Sequence, residues 1–313
     1  MKLHSNKKLF SDIIRATAQG LSISELFVEK DYWITFALNN LSKSKYAPSS
    51  VFKGGTSLSK GFKLINRFSE DVDIAIIENN KSGNQIKTII KSIEKEMTQD
   101  LNELQVKGLT SKGSKFRKSI FEYDSIDMKN KNNKLVVEVN SFSNPFPFRA
   151  LPINSFIFDF LTQTQNEKYI QRYELGPCEV NILNKEQTLL EKMASLIRFS
   201  FSDNVTESVS KKIRHFYDLY YLMNDIQCVL FAQSEEFKKQ FNEIFNHDKG
   251  VFDEPVGWQK KSVANSPLVV DFENIWAQLK NIYKSELSAL AYTEIPDEKE
   301  VAKCFKRLVS LIK

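Results

Sequence analysis

The segment Val51-Phe52-Lys53-Gly54-Gly55-Thr56-Ser57-Leu58-Ser59-Lys60, followed after seven residues by Phe68-Ser69-Glu70-Asp71-Val72-Asp73-Ile74, constrains this chain more than any other. Val51 and Phe52 read as a short apolar strand that enters a Gly-Gly turn and then a helix. Free backbone N–H groups and the positive end of a helix dipole at such a turn can hold phosphate oxygens, so Gly54, Gly55, Thr56 and Ser57 are expected to cradle a triphosphate. The Thr56 and Ser57 hydroxyls can donate to phosphate or cap the helix. Asp71 and Asp73 alternate with Val72, Ile74 and Ile76, and a period of two puts both carboxylates on one face of a strand. Hard oxygen ligands suit Mg²⁺ or Mn²⁺, and two ions roughly 3.5 to 4 Å apart stabilise both the attacking and the leaving oxygen of a phosphoryl displacement. Lys60, Arg67 and Ser69 flank the cradle and complete the expected nucleotide-binding set, although Lys60 and Arg67 would serve equally as solvated residues.

Taken singly, each half is ordinary. Gly-Gly-Thr-Ser alone is a turn with a helix cap, and Asp-x-Asp alone marks a solvated strand start. Together, one short helix apart, they form a compact unit that packing alone does not require, and they point to nucleotidyl transfer.

Gly54-Gly55-Thr56-Ser57 with Asp71-Val72-Asp73 resembles the signature of the polymerase-β-like nucleotidyltransferase superfamily. The fuller wording, with Arg67-Phe68-Ser69-Glu70-Asp71-Val72-Asp73, is closer to the AbiEii and AbiGii type toxins of abortive-infection systems. Val28-Glu29-Lys30-Asp31-Tyr32-Trp33 is similar to the segment that precedes the nucleotide site in those proteins. Thr188-Leu189-Leu190-Glu191-Lys192-Met193-Ala194 resembles their helix with an essential lysine, and Arg214-His215-Phe216-Tyr217-Asp218-Leu219-Tyr220 their later helix with an aspartate. The resemblance spans about residues 25 to 225 with the motif order kept. It implies a nucleoside triphosphate substrate, an RNA acceptor with the 3′ end of tRNA as the leading class, and a cognate antitoxin as partner. It also implies catalytic roles for Asp71, Asp73, Lys192 and Asp218.

The residues themselves add to this. Lys192 falls beside the helical stripe Leu189, Leu190, Met193, Ala194, Leu196 and Ile197, where a lysine can pack its stem and present its ammonium to phosphates; the plain alternative is a surface lysine. Asp218 lies four residues after Arg214, so a helical ion pair is the simple reading and orientation of Lys192 or of the acceptor the functional one. His215 can act as an acid or base near neutral pH or be a packed histidine. Glu138, within Leu135-Val136-Val137-Glu138-Val139, is the candidate third carboxylate for the metals, with Glu122 in reserve; a solvated strand face is the alternative for Glu138. Glu29 and Asp31 suggest no chemistry of their own.

Composition limits the classes. The chain has 313 residues, 42% apolar, with 44 Lys and Arg against 39 Asp and Glu, a formal charge of +5. That is mildly basic, compatible with a polyanionic partner without requiring one. Cys178, Cys228 and Cys304 are widely spaced and form no zinc or disulfide pattern, and the N-terminus carries no apolar leader. No run reaches the roughly 18 apolar residues of a membrane span. A cytoplasmic, unexported protein with no membrane partner is expected.

Helical spacing predicts two helices within 7–42, one over 84–104, and others at 186–201, 208–224, 233–246, 270–289 and 297–312. Strand-like runs cover 116–123 and 135–140, with a polar hairpin connection at 128–134 and a surface loop at 247–267. Asn144-Pro145-Phe146-Pro147 suggests a boundary near 150. The expected fold is α+β: a polymerase-β-like core with a mixed sheet over 1–150, a mainly helical domain over 151–313, and the nucleotide in a cleft between them. A small-molecule nucleotidyltransferase of the antibiotic-modifying kind shares the Gly-Ser and Asp-x-Asp elements and is the main alternative. A catalytically silent binding fold is a third.

Overall fold

The computed structural model describes residues 2–69, 71–78, 81–127 and 133–313. Glu70 and most of the expected 128–134 connection lie outside the described residues. The chain forms two compact units, Met1–Phe62 with Phe68–Leu183, and Lys63–Arg67 with Asn184–Lys313.

The first unit carries α1 (Lys7–Leu21), α2 (Glu25–Ser42), β1 (Ser50–Lys53), α3 (Gly54–Lys60), β2 (Asp71–Ile76), α4 (Gly83–Met97), β3 (Asn102–Leu104), β4 (Ser111–Lys112), β5 (Phe116–Glu122), β6 (Lys134–Asn140), β7 (Phe148–Ile153), α5 (Phe156–Gln163), α6 (Glu167–Tyr173) and β8 (Cys178–Leu183). Its mixed sheet runs β3-β5-β6-β2-β1-β8-β7, with β4 paired to β5. β2 lies at the centre, antiparallel to β1 and parallel to β6. Alternation does what the sequence suggests: Val72 and Ile74 point into a core with Phe52, Val137, Val139 and the Ile86, Ile90, Ile93 and Met97 stripe of α4. Ser82 and Gln85 close a capping box at the start of α4.

Two sequence expectations are corrected in the first unit. The helix predicted over 84–104 ends at Met97, where its apolar stripe stops; beyond it, Asn102–Leu104 pairs with β5 as an edge strand. The boundary expected near 150 falls instead after Leu183, because β8 pairs with β1 through Phe52↔Ile182 and β7 pairs with β8. Those strands cover what would be a bare edge beside the Gly-Gly turn.

Glu29 and Asp31 prove to be braces. Glu29 accepts from the Ser125 hydroxyl and the Ile126 N–H, both at 2.7 Å. Asp31 accepts from Lys60 Nζ at 2.5 Å and from the Phe156 N–H at 2.8 Å, and the same ammonium donates to the Asn154 carbonyl at 3.0 Å. Both members of this ion pair are buried, so α2, the end of α3 and the start of α5 are joined through one carboxylate.

The second unit is helical: α7 (Lys185–Phe199), α8 (Val205–Ser210), α9 (Arg214–Leu222), α10 (Ile226–Ala232), α11 (Glu235–Val251), α12 (Pro267–Val270), α13 (Phe272–Leu290) and α14 (Glu298–Ile312). The single helix predicted over 208–224 is two, α8 and α9. α11 extends to Val251, into the expected loop, and α10 starts on an Asp225 cap. Its core is aromatic, with Phe216 against Trp276 and Phe305 at ring separations of 5.1 and 4.8 Å.

Removing one member of a buried ion pair leaves the other charge without compensation, which costs about 3 to 5 kcal/mol. Asp31→Ala is therefore expected to lower unfolding stability by about 3 kcal/mol, and Asp31→Ala with Lys60→Met to recover most of that loss. Chemical denaturation showing the single variant to be as stable as wild type contradicts the brace.

Candidate active site

One face of β2 is core; the other is charged. Across four strands, Lys53 lies opposite Asp73, Asp73 beside Glu138, and Glu138 opposite Lys118. Residues opposed in this way project from the same side of a sheet, so the four form a row of charges in the order plus, minus, minus, plus. Lys118 Nζ donates to Glu138 Oε1 at 2.6 Å. Burial acts to lower the Lys118 pKa, but the Glu138 hydrogen bond and charge, then Asp71 and Asp73, outweigh it and raise the pKa. Glu122, the reserve carboxylate, pairs in register with Lys134, away from Asp73.

The Gly-Gly turn is built against this row. Gly54 has φ +80°, and a Cβ placed there would lie 2.3 Å from Asp73 Oδ2, so only glycine lets the turn approach the carboxylate. The Thr56 hydroxyl donates to the Asp71 carbonyl at 2.6 Å and the Ser57 hydroxyl to the Gly54 carbonyl at 2.8 Å. Each hydroxyl has one proton, and here both protons are committed to backbone carbonyls. Thr56 and Ser57 therefore hold the turn together, and neither caps the helix. With both hydroxyl protons committed, what this turn can still offer an anion is its backbone N–H groups. With seven residues, α3 contributes little dipole.

The flanking cations are not solvated. Lys60 is committed to Asp31, as above, and Ser69 is half-buried just ahead of β2. Arg67 belongs to the second unit, where its Nε and Nη2 donate to the two oxygens of Asp218, each at 2.7 Å. Lys192 on α7 also reaches Asp218, with Nζ 2.7 Å from Oδ2. Arg214 pairs with Glu286 at 3.5 Å, so the simple helical pair with Asp218 is replaced by these two buried partners. Burial acts to raise the Asp218 pKa, but Arg67 and Lys192 outweigh it and hold the carboxyl well below its usual range. Burial together with Lys192 and Lys212 pushes the His215 pKa well below the ordinary value, as for a packed histidine.

The donor set can be tested against a metal. Asp71 and Asp73 are half-buried on one strand face, and Gly54 approaches the Asp73 carboxylate closely. Such a pair fits one hard divalent cation. Among the described residues, no three His, Cys, Asp or Glu side chains converge on one metal position. Glu138, the third carboxylate expected from the sequence, is the register neighbour of Asp73 and is engaged by Lys118.

A family model described as nucleotidyl transferase AbiEii toxin, type IV toxin–antitoxin system, matches residues 37–302. The chain belongs to the AbiEii family. It is accordingly a nucleotidyltransferase toxin, and the matched span includes Gly54 to Ser57, Asp71, Asp73, Glu138, Lys192 and Asp218. The family description implies a cognate antitoxin. MenT4, a nucleotidyltransferase toxin of Mycobacterium tuberculosis H37Rv, is a structural neighbour with 14% identity and a TM-score of 0.39 over 96% of this chain and 99% of that one. No curated protein matches. No helix of this AbiEii chain is long and apolar enough to cross a membrane, among the described residues.

Sequence reasoning missed Lys118 and the pairing of Arg67 with Asp218. Lys118 carried a faint signal, a charge on a strand beside a second one, Arg117, between Phe116 and Ile120; Arg67 and Asp218 are too far apart in sequence to carry any.

Asp218→Asn leaves two buried cations without their anion, and near neutral pH it is expected to lower stability by about 3 to 5 kcal/mol. Because the folded pKa of Asp218 is depressed, its contribution is complete above the unfolded value of about 4 and is lost as pH falls toward the folded value. The stability gap between wild type and variant should therefore narrow in acid, from about pH 4 downward. Urea titrations that give the same gap at neutral pH and well below pH 4 refute this assignment.

Proposed function

We propose that this enzyme transfers a nucleotide from a nucleoside triphosphate to the 3′-hydroxyl of RNA, with tRNA as the acceptor class and Mg²⁺ or Mn²⁺ held by Asp71 and Asp73. The observation that carries this reading is the close approach of Gly54 to Asp73, with Thr56 bonded to the Asp71 carbonyl. A turn rich in backbone donors and a pair of carboxylates are thereby one rigid object. Phosphates held at the turn would lie beside the carboxylate face, which is the positioning an in-line displacement needs.

A divalent ion on that face supplies charge stabilisation to the phosphoryl oxygens. The protein's part is to fix the carboxylates, by the close approach of Gly54 to Asp73 and by the bond from Thr56 to the Asp71 carbonyl, with Lys53 and Lys118 at the two ends of the charged row. Lys192 is the phosphate-directed lysine in this reading, and Asp218 positions it. Lys60, committed to Asp31, is left out of the nucleotide contacts, and Arg67 acts through Asp218. A net charge of +5 supports a polyanionic acceptor held through its phosphates.

Asp71→Asn and Asp73→Asn should each abolish nucleotide transfer while unfolding within a few degrees of wild type. The assay is incubation of total RNA with each labelled nucleoside triphosphate and Mg²⁺ or Mn²⁺, followed by sequencing of labelled 3′ ends. Label in tRNA 3′ ends with one preferred triphosphate is the expected result, with binding that weakens as salt rises. Label in a small hydroxylated compound, and in no RNA, replaces the RNA reading with the small-molecule one.

Lys192→Ala should slow turnover by about tenfold or more through lost charge stabilisation, and Lys192→Arg should restore only part, since the guanidinium differs in reach and shape. Unchanged turnover in Lys192→Ala removes the lysine from the mechanism.

A further inference from the structure

A cross-strand lysine and glutamate at a half-exposed position contribute a few tenths of a kcal/mol to about 1 kcal/mol, and the fold gains little from them. The Lys118 and Glu138 side chains are 31% and 22% exposed, and packing on their strands is carried by the opposite face, through Phe121, Val137 and Val139. Their position is what sets them apart. Glu138 is the register neighbour of Asp73, the place where a third carboxylate would join the pair. There it receives an ammonium at 2.6 Å. The charge on Lys118 is also within the field of Asp71 and Asp73.

In a two-ion centre, a third carboxylate helps to hold a second cation, since two closely spaced dications need several anionic donors. Here a covalently attached cation already meets that carboxylate. Opposite charges at this row are balanced without it: Lys53 faces Asp73 as Lys118 faces Glu138. A second dication at Glu138 would meet, on the same carboxylate, an ammonium that already holds Oε1 by a short bond and repels it.

We propose that Lys118 is a positioning residue that supplies to Glu138, as a fixed ammonium, the positive charge a second divalent ion would bring, so that the site takes one divalent ion at Asp71 and Asp73. This rests on the reading of Asp71 and Asp73 as metal ligands. It differs from a two-ion centre in a quantity that can be counted.

The test uses the purified full chain and Mn²⁺ alone, with bound ions counted by equilibrium dialysis and their environment read by electron paramagnetic resonance. Two Mn²⁺ ions at about 3.5 to 4 Å are spin-coupled and differ in spectrum from an isolated ion. Wild type should hold one isolated ion, lost in Asp71→Asn and Asp73→Asn. Lys118→Met should release Glu138 and admit a second, coupled ion, whereas Lys118→Arg, which keeps the charge, should stay at one. Glu138→Gln should also stay at one, and this checks the proposal even if Lys118→Met fails to fold. A coupled pair in wild type, one ion in well-folded Lys118→Met, or loss of the ion in Glu138→Gln overturns the role of Lys118 and leaves the Asp71 and Asp73 assignment standing. No Mn²⁺ on wild type, or Mn²⁺ that survives both Asp variants, overturns both.

Discussion

The rest of the first unit depends on a strand with two unlike faces. β2 places Val72 and Ile74 in the core and Asp71 and Asp73 on the other side, and the strand alternation leaves no intermediate arrangement. A slip of one residue would bury both carboxylates without partners and expose the apolar residues, which is costly enough to fix the register against β1 and β6. That register in turn sets the row from Lys53 to Lys118, because each neighbour in it is an opposed residue on the adjoining strand. The charged surface follows from the packing of the apolar one.

The cations of the nucleotide motif show how burial changes the meaning of a charge. Lys60 and Arg67 flank a turn suited to phosphate, and from sequence both invite assignment as phosphate ligands or as solvated residues. Each is buried, and a buried charge needs a partner and further hydrogen bonds. Lys60 finds Asp31 and a carbonyl; Arg67 finds both oxygens of Asp218. Neither role requires a ligand. The hydroxyls of Thr56 and Ser57 follow the same logic, since buried protons are committed to backbone carbonyls. Glycine leads the motif because Gly54 has φ +80° and lies against the Asp73 carboxylate, where a Cβ would not fit.

Asp218 performs the equivalent function in the second unit. It is fully buried, and it is stable there because two cations converge on it. The arrangement holds the ammonium of Lys192 by a short ion pair, which restricts a side chain that would otherwise be free to turn. Asp218 is thus the shared partner of Arg67 and Lys192, where the i, i+4 relation to Arg214 had offered a simpler pairing.

The sequence alone determined the strand, turn, helix and strand of the motif, the shared face of Asp71 and Asp73, and most helices, because all of these follow from local periodicity and turn chemistry. It also carried the family, through motif order. It did not reveal β7, β8 or the end of α4, where edge pairing with strands distant in sequence overrides local preference. Nor could it assign partners to its charges. Arg67 with Asp218, Asp31 with Lys60 and Lys118 with Glu138 are juxtapositions of residues on different elements. An ion pair depends on a few ångströms of through-space distance, and only the packed tertiary structure sets that distance.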